Sequence, residues 1–412
     1  MRCSPTRSDK SIRSWIATAR IGCRALWVAL ASAALRADIA VVVVNFNSGD
    51  YLAGCIDALR SQSSDLPAAD VIVVDNASTR DQRDWLAGAA GRGARVFPRE
   101  VNDGYAGGCN FGLGVTDAPL VCFMNADVRL CPDALATLQR HLVEHREVGI
   151  TEPRFFVDDG RHWMQPAFTP PTWSKLSWEA AARRWRTIAH RLELAGIRRQ
   201  VRGWRSQEIR TCPALSGALL FTRRDVMERV GGFDLGYPLA YEDNDLFARV
   251  RAAGFTLTTV PRAEAIHYAH RSRVTVLEES IRKDALGRQR YLRQHVGAFA
   301  NWLDQLWHSR ADRGDGLWPR FSDLGPSRDP VELKLEGAPG PFVLLLAYDR
   351  SFAVYAGHFG EGTSYRFSLE TWRSLLPSSV FVRALALGDL APRGAWRFQP
   401  AADWPRGNLT SS

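Results

Sequence analysis

Short apolar runs alternate with amphipathic stretches along the first third of the chain. The apolar runs predict four strands, at Ile39–Val44, Val71–Val74, Ala94–Phe97 and Leu120–Met124. A run that is apolar at every position and rich in β-branched residues is typical of a parallel strand buried on both faces. Stretches at 51–61 and 132–145 predict helices. The alternation indicates an α/β fold in which helices flank a mostly parallel central sheet.

Polar side chains follow three of these strands at the points where the strands end. They are Asn45, Asn47, Asp75, Asn76, Asn125 and Asp127. Ligands of parallel sheets bind at the carboxyl ends of the strands, so these residues are candidates for one site. Asp75 can accept hydrogen bonds from a nucleobase or ribose, and Asp127 can hold a hard divalent cation. The alternative for each position alone is a turn or a helix cap.

A glycine-rich segment at 102–112 comes before the fourth strand. It contains Gly107 and Gly108, and Asn110 is expected to begin a helix that runs toward Thr116. Glycine lets the backbone approach a ligand closely and adopt positive φ. The alternative is a flexible loop without a ligand.

A second cluster of small and acidic residues lies near the middle of the chain. Leu215–Phe221 predicts a strand that contains Ser216 and Gly217, and Glu242 and Asp243 begin a predicted helix. A positioned carboxylate can act as a general base. The alternative is structural, because acidic residues in a first helical turn complement the helix dipole.

The combination of these segments, over about residues 38–300, resembles the inverting family-2 glycosyltransferases with the GT-A fold. Among them, the rhamnosyltransferase-like bacterial members are the most similar in pattern. The resemblance implies that Asp243 is the general base and that Glu242 orients the acceptor or Asp243. It places Ser216 and Gly217 beside the acceptor. The donor would meet the polar strand ends and the glycine-rich segment, including Gly107, Gly108 and Asn110.

The resemblance also implies a divalent cation, Mn²⁺ or Mg²⁺, bound by Asp127 and His267. His270 is the nearby competitor for the second position. A carboxylate and a neutral imidazole form a sensible partial set of ligands for such an ion. Many relatives carry two or three acidic residues in this motif, whereas Asn125-Ala126-Asp127 has one. Strict metal dependence therefore does not follow from the resemblance.

The implied reaction moves a sugar from a nucleoside-diphosphate sugar to a hydroxyl of a glycan or lipid-linked acceptor in surface polysaccharide synthesis. On resemblance alone, dTDP-rhamnose is the first donor to try. Two alternatives stay open: a non-catalytic scaffold that binds nucleotide sugars or glycans, and a nucleotidyltransferase. A nucleotidyltransferase is expected to carry an early basic, glycine-rich phosphate loop, but residues 41–50 contain one glycine and no Lys or Arg.

Residues 158–210 read as an insertion rich in Arg and Trp. An apolar stripe at helical spacing consists of Trp178, Ala182, Trp185, Ile188, Ala189 and Leu192, flanked by arginines. A basic amphipathic helix with Trp is typical of a membrane-surface contact. The alternative is that the stripe packs on the catalytic domain with solvated arginines. No nucleic-acid-binding motif accompanies the charge.

The remaining segments suggest a division of the chain into a GT-A domain at 38–310 and further parts. Residues 1–37 form a basic extension, predicted to be disordered or to lie on a membrane surface, and 276–308 is predicted to be helical. Residues 311–341 are rich in Gly, Pro and Asp and predict a linker. Short runs at 342–400 predict a small β-rich accessory domain.

Composition and charge fit this picture. The 412 residues are 46% hydrophobic and 24% charged, as in ordinary globular proteins, and the net charge is +9. A basic protein suits nucleic acid, anionic lipid or a phosphate-bearing substrate. The seven cysteines lack the C-x-x-C spacing of zinc sites and suggest thiols in a reducing cytosol. The prediction is a cytoplasmic protein, peripheral on the inner face of the membrane where it meets lipid, with homo-oligomerisation left open.

Overall fold

The computed structural model describes residues 38–62, 69–79, 81–268, 277–308, 320–352 and 354–401. The elements up to residue 308 are, in chain order, β1 (Ile39–Asn45), α1 (Gly49–Arg60), β2 (Asp70–Asp75), α2 (Arg83–Gly91), β3 (Arg95–Pro98), α3 (Gly104–Gly114), β4 (Leu120–Asn125), β5 (Val128–Leu130), α4 (Ala134–Glu144), β6 (Val148–Phe156), α5 (Trp173–Arg184), α6 (Arg186–Arg205), β7 (Arg210–Thr211), β8 (Leu219–Arg223), α7 (Arg224–Val230), α8 (Glu242–Ala252), β9 (Thr256–His267), α9 (Leu277–Tyr291), a π-helical turn (Leu292–Val296) and α10 (Ala298–His308). The predicted extension at 1–37 and His270 lie outside the described residues.

The first sheet has the strand order β3-β2-β1-β4-β8-β6-β9-β5, with β7 paired to β9. Strands β1 to β4 are parallel to one another, whereas β8 is antiparallel to both β4 and β6. Asn45 pairs with Asp75, and Val44 pairs with Asn125. The polar strand ends therefore meet at one edge of the sheet. The predicted α/β fold is confirmed, with a second half of the sheet that is mixed in direction.

Strand β1 forms because it can bury both of its faces. All seven of its residues are buried. Val41 and Val43 face one hydrophobic core, and Val42 and Val44 face the other. Residues that alternate between two cores remove a strand from water on both sides, which favours apolar β-branched side chains at every position.

The glycine-rich segment is helix α3 rather than a loop, and Asn110 lies in its middle rather than at its start. A Cβ atom on Gly108 would lie 2.8 Å from Val44 Cγ1, and one on Gly112 would lie 2.2 Å from Val42 Cγ1. These glycines let the helix backbone lie directly on β1, a contact that larger residues would push apart.

The stripe predicted for the Arg/Trp-rich segment does not pack as one face. Trp178 and Trp185 are 55% and 54% exposed, so the expectation that they pack on the catalytic domain is wrong. The buried residues lie further along α6, at Ile197, Val201 and Trp204. Helical spacing identifies an apolar stripe, but it does not show which residues of the stripe pack against another element.

A second β-rich part follows residue 320. Its elements are β10 (Ser322–Ser327), β11 (Glu332–Lys334), β12 (Gly340–Ala347), β13 (Ala356–Gly362), β14 (Ser364–Arg366), α11 (Leu369–Ser374), β15 (Val380–Ala386) and β16 (Pro392–Pro400). Five strands form a sheet in the order β10-β16-β15-β12-β13, and β11 pairs with β14. The described part of the predicted linker thus contains two strands and the start of a third.

None of the helices in the described ranges combines the length and the apolar character that a membrane span requires.

Candidate active site

The ends of β1 and β2 form a buried polar cluster. Asn45 donates from Nδ2 to Asp75 Oδ1 at 2.7 Å, and Ser78 donates from Oγ to the same oxygen at 2.7 Å. Asn45 is fully buried, and Asp75 is 6% exposed. The carboxylate is held in one orientation at the edge where parallel strands end, which is the usual place for a ligand in such sheets.

Asn47 and Asn76 extend the cluster on either side. Asn47 has a left-handed backbone (φ 54°), and its backbone N–H donates to Ser78 Oγ at 2.9 Å. Asn76 donates from Nδ2 to the Asn102 side chain and to the Gly104 carbonyl, both at 2.8 Å. These bonds tie the strand end to the start of α3. The Asn76 Oδ1 atom is buried without a hydrogen-bond partner among the described residues.

The three residues of α3 that the sequence assigns to the donor make contacts inside the protein. A Cβ on Gly107 would lie 2.3 Å from Asp103 Cβ, and Gly108 lies against β1. The Asn110 amide pairs with the Phe233 backbone, donating to its carbonyl and accepting from its N–H, both at 2.9 Å. The three residues therefore support the structure around the site, and their contact with a donor remains a prediction.

Asp127 and His267 come together because β5 and β9 are antiparallel neighbours, with Val128 opposite His267. His267 Nε2 lies 3.6 Å from Asp127 Oδ1, and the two side chains are 12% and 9% exposed. Asn125 lies two residues before Asp127, and its backbone N–H donates to the Ala218 carbonyl at 2.9 Å. The predicted pair is therefore adjacent in space.

A carboxylate and an imidazole are ligands that Mn²⁺ accepts, and Mg²⁺ accepts the carboxylate. The described residues contain no group of three or more His, Cys, Asp or Glu side chains that could hold an ion. Asp127 and His267 therefore supply two candidate ligands, fewer than either ion takes.

Gln165 is a site residue that the sequence analysis missed. It donates from Nε2 to Ser216 Oγ at 2.8 Å, and its Oε1 lies 3.1 Å from His267 Nδ1. In this arrangement the proton is on Nδ1, and Nε2 faces Asp127. The indole of Trp204 donates to the Gln165 carbonyl at 2.9 Å and holds the segment in place. The segment between β6 and α5 carries no local motif that marks it.

Ser216 and Gly217 lie in the loop before β8, not in the strand as predicted, and this loop meets Asp243. Gly217 has φ 76°, and a Cβ on it would lie 2.4 Å from Asp243 Oδ2. Any side chain here would displace the carboxylate. The other oxygen, Oδ1, accepts from the Asn244 backbone N–H at 2.7 Å.

Glu242 faces the opposite way from Asp243. It is 8% exposed, whereas Asp243 is half-buried. Burial, and to a smaller degree the charge of Glu242, raises the pKa of both Tyr105 and Cys109 in α3. Glu242 therefore lies toward the core, and Asp243 is the more exposed carboxylate of the two.

Glu152 of β6 is a second residue that the sequence analysis missed. Its Oε2 accepts from the Ser216 backbone N–H at 2.6 Å, and its Oε1 accepts from Thr259 Oγ1 at 2.9 Å. Burial raises the pKa of Glu152 to about 7, against the opposing effect of these hydrogen bonds and of Arg210. The available signal was a carboxylate within a largely apolar stretch, Val148–Phe156, which the strand predictions had left out.

The turn that leads into α8 is held by α9. Ala240 and Tyr241 both have left-handed backbones, with φ 58° and 67°, which is costly for residues other than glycine. Arg288 donates to Tyr241 Oη at 3.1 Å. A Cβ on Gly287 would lie 2.6 Å from the Ala240 carbonyl oxygen, so the helix rests on this turn. These contacts fix the direction in which α8 presents Asp243.

Part of the chain matches a known protein family. Residues 40–196 match the model of glycosyl transferase family 2. An N-acetylglucosaminyl-diphospho-decaprenol L-rhamnosyltransferase of Mycobacterium tuberculosis is 28% identical over 251 residues, which cover 55% of this chain and 75% of that protein. Rhamnosyltransferase WbbL of Escherichia coli is 38% identical over 77 residues, 19% of this chain and 29% of WbbL.

Solved structures are also similar, at low identity. The mannosyltransferase PcManGT from Pyrobaculum calidifontis, in complex with GDP-Man and Mn²⁺, is 19% identical with a TM-score of 0.40, over 73% of this chain and 86% of that one. TarS of S. aureus is 15% identical with a TM-score of 0.38, over 68% and 74% of the two chains.

Proposed function

We propose that the chain is a member of glycosyl transferase family 2, an inverting, metal-assisted transferase that moves a sugar from a nucleoside diphosphate to an acceptor hydroxyl. One observation carries this proposal: a continuous set of contacts joins the candidate cation ligands to the candidate base. It runs from Asp127 and His267 through Gln165 to Ser216, and the adjoining Gly217 lies against Asp243. A donor diphosphate and an acceptor hydroxyl bound along this line would meet.

Asp243 accepts the proton of the acceptor hydroxyl as the hydroxyl attacks the anomeric carbon. A positioned base of this kind contributes about 10²- to 10⁴-fold to the rate. Single displacement from the face opposite the leaving diphosphate inverts the anomeric configuration. Glu242, buried against α3, fixes the start of α8 and so the position of Asp243.

Asp127 and His267 would hold a divalent cation together with the donor diphosphate. When bound, such an ion neutralises the charge that develops on the leaving nucleoside diphosphate. The held carboxylate of Asp75, with Asn45, Asn47 and Asn76 around it, suits the hydrogen-bond donors of a ribose or a nucleobase.

The donor that we propose is dTDP-rhamnose, and the acceptor is a lipid-linked glycan used in surface polysaccharide synthesis. Two similar proteins are named rhamnosyltransferases, and the name of one includes a diphospho-decaprenol acceptor. Transfer to such an acceptor would take place at the inner face of the cytoplasmic membrane, because the donor is a cytosolic metabolite.

The test is a screen of nucleoside-diphosphate sugars for binding and for donor hydrolysis, with Mn²⁺, Mg²⁺ or EDTA. We expect one nucleotide family to stabilise the wild type, and Asp243→Asn to keep this binding while turnover falls about 10²- to 10⁴-fold. Asp225→Asn is the matched control, since Asp225 is an exposed acidic residue in the first turn of α7.

Full turnover in Asp243→Asn would contradict the assignment of Asp243 as the general base. Binding of a nucleotide sugar without turnover under any metal condition would favour a non-catalytic scaffold. Absence of all nucleotide-sugar binding would contradict both.

A further inference from the structure

Exposed aromatic rings are concentrated on one part of the surface. Among the described residues, six Trp and Phe side chains are exposed, and five of them lie on α5, α10 and the junction of α5 with α6. These five are Trp173, Trp178, Trp185, Phe299 and Trp302; the sixth is Trp85 on α2. An exposed cluster of large apolar side chains commonly marks a docking surface.

Three of the five rings are in contact with one another where α5 meets α10. Phe299 lies 5.7 Å from the Trp173 ring and 5.3 Å from the Trp302 ring, measured between centroids. Leu176 packs beneath them in a small buried cluster with Ala300. Aliphatic side chains thus fill the contact between the two helices, while the aromatic rings remain exposed.

The same segment carries most of the net charge of the chain. Residues 173–205 contain nine Lys or Arg and two Glu, a net charge of +7, compared with +9 for all 412 residues. Several of the arginines are exposed: Arg184, Arg186, Arg191, Arg198 and Arg202. Exposed indoles beside arginines suit the headgroup region of an anionic bilayer. Trp side chains are favoured at that interface, and the negative surface potential attracts each basic residue.

We propose that α5, the first half of α6 and α10 form a docking surface for an anionic lipid bilayer. A second copy of the chain is a poorer partner, since a symmetric contact would bring two segments of +7 together. The docking surface deepens the proposed function, and its purpose rests on that function. The last turn of α6 carries Trp204, which donates to the Gln165 carbonyl, so the helix that meets lipid in its first half supports the site in its second.

The test is sedimentation of the full chain with phosphatidylcholine vesicles, with and without phosphatidylglycerol. We expect binding only to the anionic vesicles, weakened about fivefold for each arginine removed in Arg184→Ala and Arg186→Ala. Trp178→Ala with Trp185→Ala should also weaken binding. The arginine effect should shrink at high salt, because surface charges are screened, and the tryptophan effect should persist. Trp85→Ala and Arg140→Ala, exposed residues on α2 and α4, are the matched controls.

Equal binding to neutral vesicles, or equal losses in the control variants, would overturn the proposal. So would RNA binding or dimer formation that depends on the same side chains and competes with vesicles. Donor hydrolysis in solution distinguishes the proposed transferase function from the proposed docking surface. Vesicle binding without any hydrolysis would contradict the transferase function and support the docking surface. Hydrolysis that is unchanged in variants with lost vesicle binding supports the docking surface.

Discussion

Gln165 shows how a side chain without charge can organise two charged partners. Its amide hydrogen-bonds both Ser216 and His267, and so it joins the loop before β8 to the proposed cation ligands. A residue that orients a ligating imidazole raises the affinity of the site for the metal ion, although it does not contact the ion itself.

We expect Gln165→Leu to lower the affinity for Mn²⁺, measured in the presence of a nucleoside diphosphate, by about 10- to 100-fold. Titration followed by electron paramagnetic resonance reports free Mn²⁺ directly, without need for turnover. Gln200→Leu is the matched control, because the Gln200 amide hydrogen-bonds the backbone of Ala167 rather than a candidate metal ligand. Unchanged affinity in Gln165→Leu would show that the imidazole is oriented by other contacts.

Among single residues, the sequence predicted those that belong to a recognisable motif. The juxtaposition of Asp127 and His267 was predicted through the resemblance, and the structure places them side by side. Gln165 and Glu152 reach the site only through strand pairing and the path of the chain between β6 and α5. The sequence marks Glu152 only as a carboxylate within a largely apolar stretch, and it marks Gln165 by no motif, so neither contact could be read from neighbouring residues.

At the scale of elements, β6 connects the site to the middle of the sheet. It pairs with β9 on one side and β8 on the other, and Glu152 points from it to the loop that carries Ser216. The carboxylate is 7% exposed, so its ionisation is coupled to folding.

The pKa of Glu152, raised from 4.5 to about 7, determines how stability changes with pH. Between these values the folded chain keeps a proton that the unfolded chain has released, so the free energy of unfolding falls as pH rises. The contribution of Glu152 to the free energy of unfolding changes by on the order of 3 kcal/mol between a pH below both pKa values and a pH above both. We expect Glu152→Gln to lose this part of the pH dependence in urea unfolding, measured from about pH 5 to about pH 8.

Glu228→Gln is the matched control, because Glu228 is an exposed glutamate on α7. An identical slope of stability against pH in the wild type and in Glu152→Gln would contradict the assignment. Donor binding, measured in parallel, reports whether the Ser216 loop keeps its position when the carboxylate becomes an amide.

Elements were predicted best where the hydrophobic period is unbroken. Strand β1 was predicted to within one residue, since every position is buried. Gly107 and Gly108 were placed before a helix predicted to begin at Asn110, because glycine is a poor helix former in isolation. Packing against Val42 and Val44 favours the helix there, and such tertiary contacts are absent from local propensity.

At the scale of the whole molecule, the second sheet is built around side chains that come from the first half of the chain. Trp163 is fully buried in the core of that sheet and stacks on Phe367 at 5.7 Å. Asp158 accepts from the Trp163 N–H and from Thr371 Oγ1, both at 2.8 Å. The sequence predicted a separate β-rich domain after a linker. The strands of that region were predicted in part, but a local pattern cannot show that Trp163 fills their core.

Shared side chains of this kind predict that the two sheets unfold together. We expect Trp163→Ala to destabilise the chain by about 3–5 kcal/mol, the usual cost of truncating a large buried aromatic. The loss should appear in a single transition, seen at the same urea concentration by circular dichroism and by loss of nucleotide binding, because a cooperative unit shows coincident probes. Trp85→Ala removes an exposed Trp and should change stability by no more than about 0.5 kcal/mol. Two separate transitions, with nucleotide binding retained after the first, would mean that the second sheet is an independent domain that only rests on Trp163.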